Sequence, residues 1–158
     1  MKTVFIRTPL GIASIAGDEN GITKISITED SKKKLSVDIP DVLEEVVIQL
    51  LDYFEGNRNT FEIKLNPSGT DFQKKVWKEL SKIPFGKTVT YLDIAKQLGD
   101  PKCIRAAASA NGKNPLWVVV PCHRVIGSDG SLTGYAGGLW RKKWLLEHEN
   151  PVKQQSLF

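Results

Sequence analysis

The sequence predicts an α/β protein of the α+β type, with an antiparallel sheet and one helix in its N-terminal part and helices in its C-terminal part. Three observations support this prediction. Apolar and polar residues alternate in TVFIRT, GIASIAG and GITKISIT, apolar residues follow helical spacing after residue 40, and helix-capping signals recur after residue 69. With 158 residues, 41% of them hydrophobic, the chain is long enough for one ordinary core or two small ones.

The N-terminal elements follow from these patterns in order. Turn-forming residues such as GDENG separate the three alternating stretches, which predicts a three-stranded antiparallel meander. The segment from Asp41 to Phe54 predicts a helix that ends at Gly56. TFEIKL returns to alternation, with Phe61, Ile63 and Leu65 on one side, and predicts another strand. NPSGT is typical of a linker, so we place a domain boundary near Pro67, between residues 1–66 and 67–150.

The C-terminal elements are predicted from capping residues. Thr70 and Gln73 form a capping-box pattern at the start of one helix. Thr90 caps YLDIAKQL, Gly99 ends that helix, and the Asp-Pro pair at 100–101 opens KCIRAAASANG. Two short helices joined by a glycine-containing turn are typical of a helix-turn-helix, whose second helix enters a DNA groove. Such helix pairs also occur as plain packing units, so the outline leaves both interpretations open.

The composition of the second short helix favours contact with DNA. Arg105 is followed by five small side chains in RAAASA, so this surface can approach another surface closely. High helix propensity is the alternative reason for the alanines. A net charge of +4 and a pI near 9.0 suit a polyanionic partner, although we interpret Lys142, Lys143 and Lys153 as partly a solvated face.

Other features exclude several protein classes. No apolar run approaches the length of a membrane span, and the N-terminus lacks the apolar core of a signal peptide, so we expect a cytoplasmic protein that does not bind membranes. Two cysteines, Cys103 and Cys122, are too few for a disulfide framework and should be free thiols. With His123 and His148 they form no metal-ligand spacing, so we expect no metal site.

The stretch VVVPCHRVIG places Cys122 directly before His123. An adjacent base can activate a thiol as a nucleophile. Neighbouring residues of a strand point to opposite faces, so the pair meets only if the backbone turns or a water bridges it, and Pro121 makes a turn plausible after the apolar strand. From the dipeptide alone, a buried structural cysteine beside a satisfied histidine is the favoured interpretation. A catalytic histidine also needs an orienting carboxylate, for which Glu147 and Glu149 remain alternatives.

Longer motifs carry a family resemblance. IPFGKTVTYLDIAKQLG, IRAAASANGKNP and VPCHRVIGSDGSLTGYAGGLWRKKWLLEHE occur in that order between about residues 70 and 150. Together they resemble the methylated-DNA–protein-cysteine methyltransferases, also called O6-alkylguanine-DNA alkyltransferases. The resemblance implies a ribonuclease-H-like N-terminal domain and a winged helix-turn-helix in the C-terminal domain. Some relatives bind zinc in the N-terminal half, but residues 1–66 contain no Cys or His, so that site is missing here.

The resemblance also implies roles for individual residues. Cys122 matches the alkyl acceptor, His123 matches the base that acts through a bridging water, and Glu149 matches its carboxylate partner. Asn114 matches the asparagine that shapes the turn beside the nucleophile. Tyr91 matches the tyrosine that donates a proton to the departing guanine.

Further positions are expected to contact DNA or to line the substrate pocket. Arg105 matches the arginine that takes the place of the flipped base. The other expected DNA contacts are Ala106, Ser109 and Ser128, and the expected pocket residues are Tyr135, Ala136 and Gly137. Some members have serine or arginine where this chain has Ala136, so that role would fall to backbone N–H groups. Cys103 is interpreted as a packing residue.

The implied activity is direct reversal of DNA damage. The protein would transfer a methyl or somewhat larger alkyl group from guanine O6, and less efficiently from thymine O4, in double-stranded DNA to Cys122. Because the product is a thioether, which water in this site cannot hydrolyse, each molecule should act once. This chemistry should need no cofactor.

Two rival functions and one further partner complete these expectations. A cysteine hydrolase would need an oxyanion hole, which no sequence feature marks. A non-catalytic damage sensor or regulator could use the same helix-turn-helix, but the sensor proteins of this type lack the cysteine. The tail at 151–158 ends in QQSLF, which resembles peptides that dock in bacterial sliding clamps, through Gln154, Leu157 and Phe158. We expect a monomer.

Overall fold

The computed structural model describes residues 1–29 and 34–150. The chain divides into two compact units. The first consists of residues 1–68 with 115–119, and the second of residues 69–114 with those from 120 onward. The tail at 151–158, with its proposed clamp-binding peptide, lies outside the described residues. No helix within the described ranges is long and apolar enough to cross a membrane.

The first unit contains the predicted meander. Strands β1 (Lys2–Thr8), β2 (Gly11–Asp18) and β3 (Gly21–Thr28) pair antiparallel in the order β1-β2-β3, with Val4 opposite Ile15 and Ile15 opposite Ile25. Helix α1 (Asp41–Phe54) packs on β1 and β2 and buries the apolar residues Leu43, Val46, Val47, Leu50, Tyr53 and Phe54. Gly56 has φ +82°, the left-handed conformation that ends helices, as predicted.

The strand expected from TFEIKL is not formed. Only Leu65 makes a β-bridge, to Ile22. The preceding backbone is held by a side chain instead, because Gln49 of α1 accepts from Glu62 N at 2.9 Å and donates to Glu62 O at 3.3 Å. The alternation therefore indicated which residues face the core. The backbone N–H and C=O of Glu62, which a neighbouring strand would have paired, are hydrogen-bonded to the Gln49 side chain instead.

The second unit is helical, as predicted. Its elements are α2 (Asp71–Leu80), β4 (Val89–Thr90), α3 (Tyr91–Gln97), α4 (Ile104–Gly112), β5 (Val125–Ile126) and α5 (Leu139–His148). The capping box of Thr70 and Gln73 is present, and Thr90 caps α3 by accepting from Asp93 N. Helices α2, α3 and α4 pack on one another, and β4 and β5 form a two-residue parallel pair.

Helix α4 begins later than we expected. Asp100 accepts from Lys102 N, as an N-cap should, but residues Pro101–Cys103 form a 3-10 turn and the α-helix starts at Ile104. The tighter turn after Asp100 therefore separates the cap from the α-helix itself. The α+β fold class is otherwise confirmed.

Candidate active site

The backbone before Cys122 turns twice. Val119 N donates to Trp117 O, and Cys122 N donates to Val120 O, both at 2.8 Å. These bonds close two γ-turns, the first centred on Val118 at φ +74° and the second on Pro121. The expectation of an apolar strand before Pro121 is therefore wrong. In a strand, the N–H groups of Val119 and Cys122 would be available to a neighbouring strand, but here they are hydrogen-bonded within the turns. A positive φ is strained for a β-branched valine, so this shape persists only because the surrounding residues hold it.

Cys122 and His123 lie in one 3-10 turn, Cys122–Arg124. With three residues per turn, successive side chains are about 120° apart rather than on opposite faces. Asn114 supports this geometry, since its Nδ2 donates to Val120 O at 2.8 Å. All three side chains are buried. The turn that the cysteine–histidine pair requires is thus present.

The Cys122 thiol is protonated at rest. Burial raises the pKa of Cys122 to about 11, although a hydrogen bond from Asn114 and the charge of Lys142 favour the thiolate. At neutral pH the group is therefore a thiol, and a base must remove its proton before the sulfur can act as a strong nucleophile.

His123, Arg124 and Glu149 form a buried network. His123 Nε2 lies 2.8 Å from Glu149 Oε2, and Arg124 donates through Nε to Glu149 Oε1 at 2.7 Å and through Nη2 to Oε2 at 3.0 Å. Arg124 Nη1 also donates to Ile83 O at 2.6 Å. Glu149 caps the C-terminal end of α5, so this helix delivers the carboxylate to the histidine.

The network determines the protonation of His123. Burial alone would raise the pKa of Glu149, but hydrogen bonds from His123 and Arg124, together with the charge of Arg124, lower it to about 2, so the group is a carboxylate. Burial lowers the pKa of His123, which the hydrogen bond and charge of Glu149 oppose. A carboxylate only accepts hydrogen bonds, so the neutral imidazole must carry its proton on Nε2. Nδ1 is then an acceptor, and it has no hydrogen-bond partner among the described residues.

Tyr91 lies at the start of α3 and reaches the loop between β5 and α5. Its hydroxyl donates to Thr133 O at 3.1 Å. Lys142 Nζ donates to the same carbonyl at 2.7 Å and lies 5.9 Å from the centre of the Tyr91 ring. Burial lowers the pKa of Lys142, whereas the Cys122 thiolate would raise it.

Our interpretation of Lys142 as part of a solvated face is wrong, because its side chain is buried completely. Charge patterning gave no sign of this, since Lys142 and the exposed Lys143 are adjacent in sequence. Sequence reasoning also assigned no role to Arg124, although it follows the cysteine–histidine pair directly. Both residues belong to the site because their charges act on the pKa values of its members.

The expected pocket residues lie in the loop before α5. Tyr135 is largely buried, Ala136 is exposed and Gly137 is buried. Burial raises the pKa of Tyr135 well above its ordinary value, and a negative charge on Cys122 acts in the same direction. A charge on the acceptor cysteine thus acts on one residue of this loop, Tyr135.

The expected DNA contacts are exposed. Arg105, Ala106 and Ser109 lie on the outer face of α4, whereas Ala107 and Ala110 of the same helix are buried. Ser128 is exposed in the turn after β5. Cys103 is half-buried at the start of α4, and its thiol lies 3.9 Å from Ala95 O. Both cysteines are free. Among the described residues no group of three potential ligands could hold a metal ion.

Comparison with known proteins places the two parts of the chain in one family. Residues 1–67 match the family described as 6-O-methylguanine DNA methyltransferase, ribonuclease-like domain, and residues 71–151 match its DNA binding domain. A methylated-DNA–protein-cysteine methyltransferase of Methanosarcina acetivorans is 44% identical over 156 residues, which cover 94% of this chain and 98% of the relative. That of Mycobacterium tuberculosis is 44% identical over 148 residues, which cover 91% of this chain and 89% of the relative.

Solved structures agree with this assignment. A crystal structure of Mycobacterium tuberculosis OGT in complex with DNA matches with a TM-score of 0.83 at 41% identity, over 98% of each chain. A crystal structure of the Mycobacterium tuberculosis O6-methylguanine methyltransferase matches with a TM-score of 0.82 at 39% identity, over 99% of this chain and 98% of that one. The resemblance inferred from the PCHRV motif is confirmed, and the chain belongs to the methylated-DNA–protein-cysteine methyltransferase family.

Proposed function

We propose that the protein repairs DNA by transferring the alkyl group of O6-alkylguanine, and less efficiently of O4-alkylthymine, irreversibly to Cys122. One observation carries the proposal: a buried thiol shares a single turn with a neutral histidine whose Nε2 is held by Glu149. That arrangement leaves Nδ1 of His123 as the acceptor for the thiol proton, directly or through a water.

The step balances as a displacement at saturated carbon. The thiol proton moves to His123, the S–C bond forms as the C–O bond breaks, and the electron pair of that bond remains on guanine. Tyr91 donates a proton to the departing base, which leaves as neutral guanine. The proton held by His123 then replaces the one that Tyr91 gave up, so both side chains end neutral. Lys142 stabilises the thiolate through its charge. The thioether product is not hydrolysed here, so each molecule reacts once and requires no cofactor.

The substrate base must leave the duplex to reach a buried sulfur. Flipping costs a few kcal/mol of unstacking, and Arg105, on the exposed face of α4, would take the vacated place. Residues 1–68 hold 8 basic and 11 acidic side chains, whereas residues 69–158 hold 14 basic and 7 acidic ones. This distribution supports residues 67–150 as the DNA-binding and alkyl-acceptor domain and residues 1–66 as the ribonuclease-H-like domain.

Intact-protein mass spectrometry tests the proposal. The protein is mixed with a duplex oligonucleotide that bears one O6-methylguanine, and Cys122→Ser and Cys103→Ser are run in parallel. We expect a gain of one methylene group that saturates at one per molecule, persists in Cys103→Ser and is lost in Cys122→Ser. Binding to the duplex without any mass gain would overturn the proposal in favour of a damage sensor.

We further infer that the tail recruits the protein to a bacterial sliding clamp through Gln154, Leu157 and Phe158. The support is the resemblance of QQSLF to clamp-binding peptides. Deleting residues 154–158 should abolish affinity for a purified clamp, and unchanged affinity would refute the inference. We also propose that the protein acts as a monomer in the reducing cytoplasm; the two free thiols support the reducing compartment.

A further inference from the structure

The loop Thr133–Gly138, here called the glycine loop, connects the site to α5. It contains no helix or strand, and Gly134 and Gly138 have φ values of +53° and +89°. A glycine-rich segment has many accessible conformations, so one conformation persists only if other groups hold it. One backbone bond within the loop, from Gly138 N to Tyr135 O at 2.9 Å, closes a turn.

Two adjacent basic residues of α5 hold the two ends of the glycine loop. Lys142 Nζ donates to Thr133 O at 2.7 Å, and Arg141 Nη1 donates to Gly137 O at 2.8 Å. Both side chains are buried, and hydrogen bonds from charged donors are stronger than neutral ones. The loop is therefore fixed at its start by the lysine and at its end by the arginine.

Trp140 covers the arginine. The Arg141 guanidinium carbon lies 4.5 Å from the centre of the Trp140 ring, within the range of a cation–π contact. Trp140 is 48% exposed, whereas Arg141 is only 8% exposed. The indole thus covers one face of the guanidinium, which limits competition by water for the bond to Gly137.

We propose that Trp140 and Arg141 are positioning residues that fix the glycine loop and thereby set the size of the alkyl group that Cys122 accepts. This inference rests on the proposed function. The loop accepts the Tyr91 hydroxyl at Thr133 O, 3.1 Å away, and it carries the expected pocket residue Tyr135, so a shift of the loop moves groups that would surround the substrate. A fixed loop favours in-line attack on a small alkyl group, because transfer rates depend steeply on the position of the reacting atoms. A released loop admits a larger group but positions a methyl group less well.

Single-turnover alkylation tests the inference with two free bases, O6-methylguanine and O6-benzylguanine, so that DNA binding does not contribute. The variants are Trp140→Ala, Trp140→Phe and Arg141→Met, with the exposed Lys143→Ala as a matched control on the same helix. Trp140→Ala and Arg141→Met should raise the ratio of the benzyl to the methyl rate constant by roughly tenfold. Trp140→Phe retains an aromatic face and should restore the ratio of the unmodified protein, and Lys143→Ala should leave it unchanged.

If the ratio in Trp140→Ala and Arg141→Met stays at the value of the unmodified protein, the inference is overturned. This holds whether neither rate constant changes or both fall equally, since an equal fall would indicate only a general loss of structure. Since Trp140 is half exposed, its alanine variant provides the test even if Arg141→Met fails to fold. The unmodified protein separates the two proposals: if it gains no alkyl group from either base or from damaged duplex, the proposed function itself fails.

Discussion

His123 Nε2 lies 2.8 Å from Glu149 Oε2, and both side chains are almost completely excluded from solvent. The contact joins the turn that carries Cys122 to the C-terminal end of α5, 26 residues away in sequence. Because the carboxylate can only accept, it determines which imidazole nitrogen holds the proton and which one can receive another. The electrostatics of the site follow from this one contact together with the bidentate ion pair of Arg124.

Replacing the carboxylate should slow alkyl transfer. In Glu149→Gln the amide cannot stabilise the positive charge that develops on His123, so we expect the rate constant to fall by at least about tenfold. Loss of the entire contribution of a positioned base, roughly 10²- to 10⁴-fold in rate, sets the upper limit of the decrease. Transfer from O6-methylguanine in duplex DNA gives the rate. Glu147→Gln, at a more exposed carboxylate on the same helix, is the matched control and should react normally. An unchanged rate in Glu149→Gln would remove Glu149 from the network.

The Cys122 thiol should show no thiolate character at neutral pH. Its pKa is raised to about 11, so the fraction of thiolate increases only as the pH rises toward that value. The measurement is the rate of Cys122 alkylation by iodoacetamide against pH, in Cys103→Ser protein so that a single thiol reports. We expect the rate to keep rising up to the highest pH at which the protein stays folded. A plateau below neutrality would show that a thiolate is already present at rest.

Arg105 should matter for duplex DNA far more than for the free base. Arg105→Ala removes the side chain that would replace the flipped guanine, whereas the free base needs no flipping. Repair of an O6-methylguanine duplex should therefore fall strongly, while the rate with free O6-methylguanine stays near normal. Lys113→Ala, which removes another exposed positive charge, should only weaken DNA binding and its salt dependence. Equal losses on both substrates would show that Arg105 is not inserted into the duplex.

Loss of Arg124 should destabilise the fold. Arg124→Met leaves the buried Glu149 carboxylate without its bidentate partner and Ile83 O without its donor, so the free energy of unfolding should drop by about 3–5 kcal/mol. Urea denaturation provides the measurement. Lys82→Ala breaks an ion pair with Glu79 in which the lysine is largely exposed, and it should cost less than about 1 kcal/mol. A similar small loss in both variants would contradict the structural importance of Arg124.

Local sequence signals determined most of the secondary structure. The alternation in the first strands, the helical spacing of α1 and the caps at Thr70 and Thr90 each depend on residues a few positions apart, so they can be recognised without tertiary information. TFEIKL and the valine run before Pro121 were interpreted wrongly as strands. Glu62 of TFEIKL is hydrogen-bonded to the Gln49 side chain, and the N–H groups around the valine run bond within their own turns. Neither arrangement is indicated by alternation or apolar character.

The motif PCHRV and its order with the other motifs identified the family from sequence alone, because a run of five specific residues is far less ambiguous than a periodic pattern. The tertiary structure decided which groups meet. It formed the contact between His123 and Glu149, the carboxylate that the family resemblance had implied, buried Lys142 while leaving Lys143 exposed, and stacked Arg141 beneath Trp140. These contacts arise because one turn of helix α5 sends neighbouring side chains in different directions, and only the packing of the helix determines which direction leads to the cysteine.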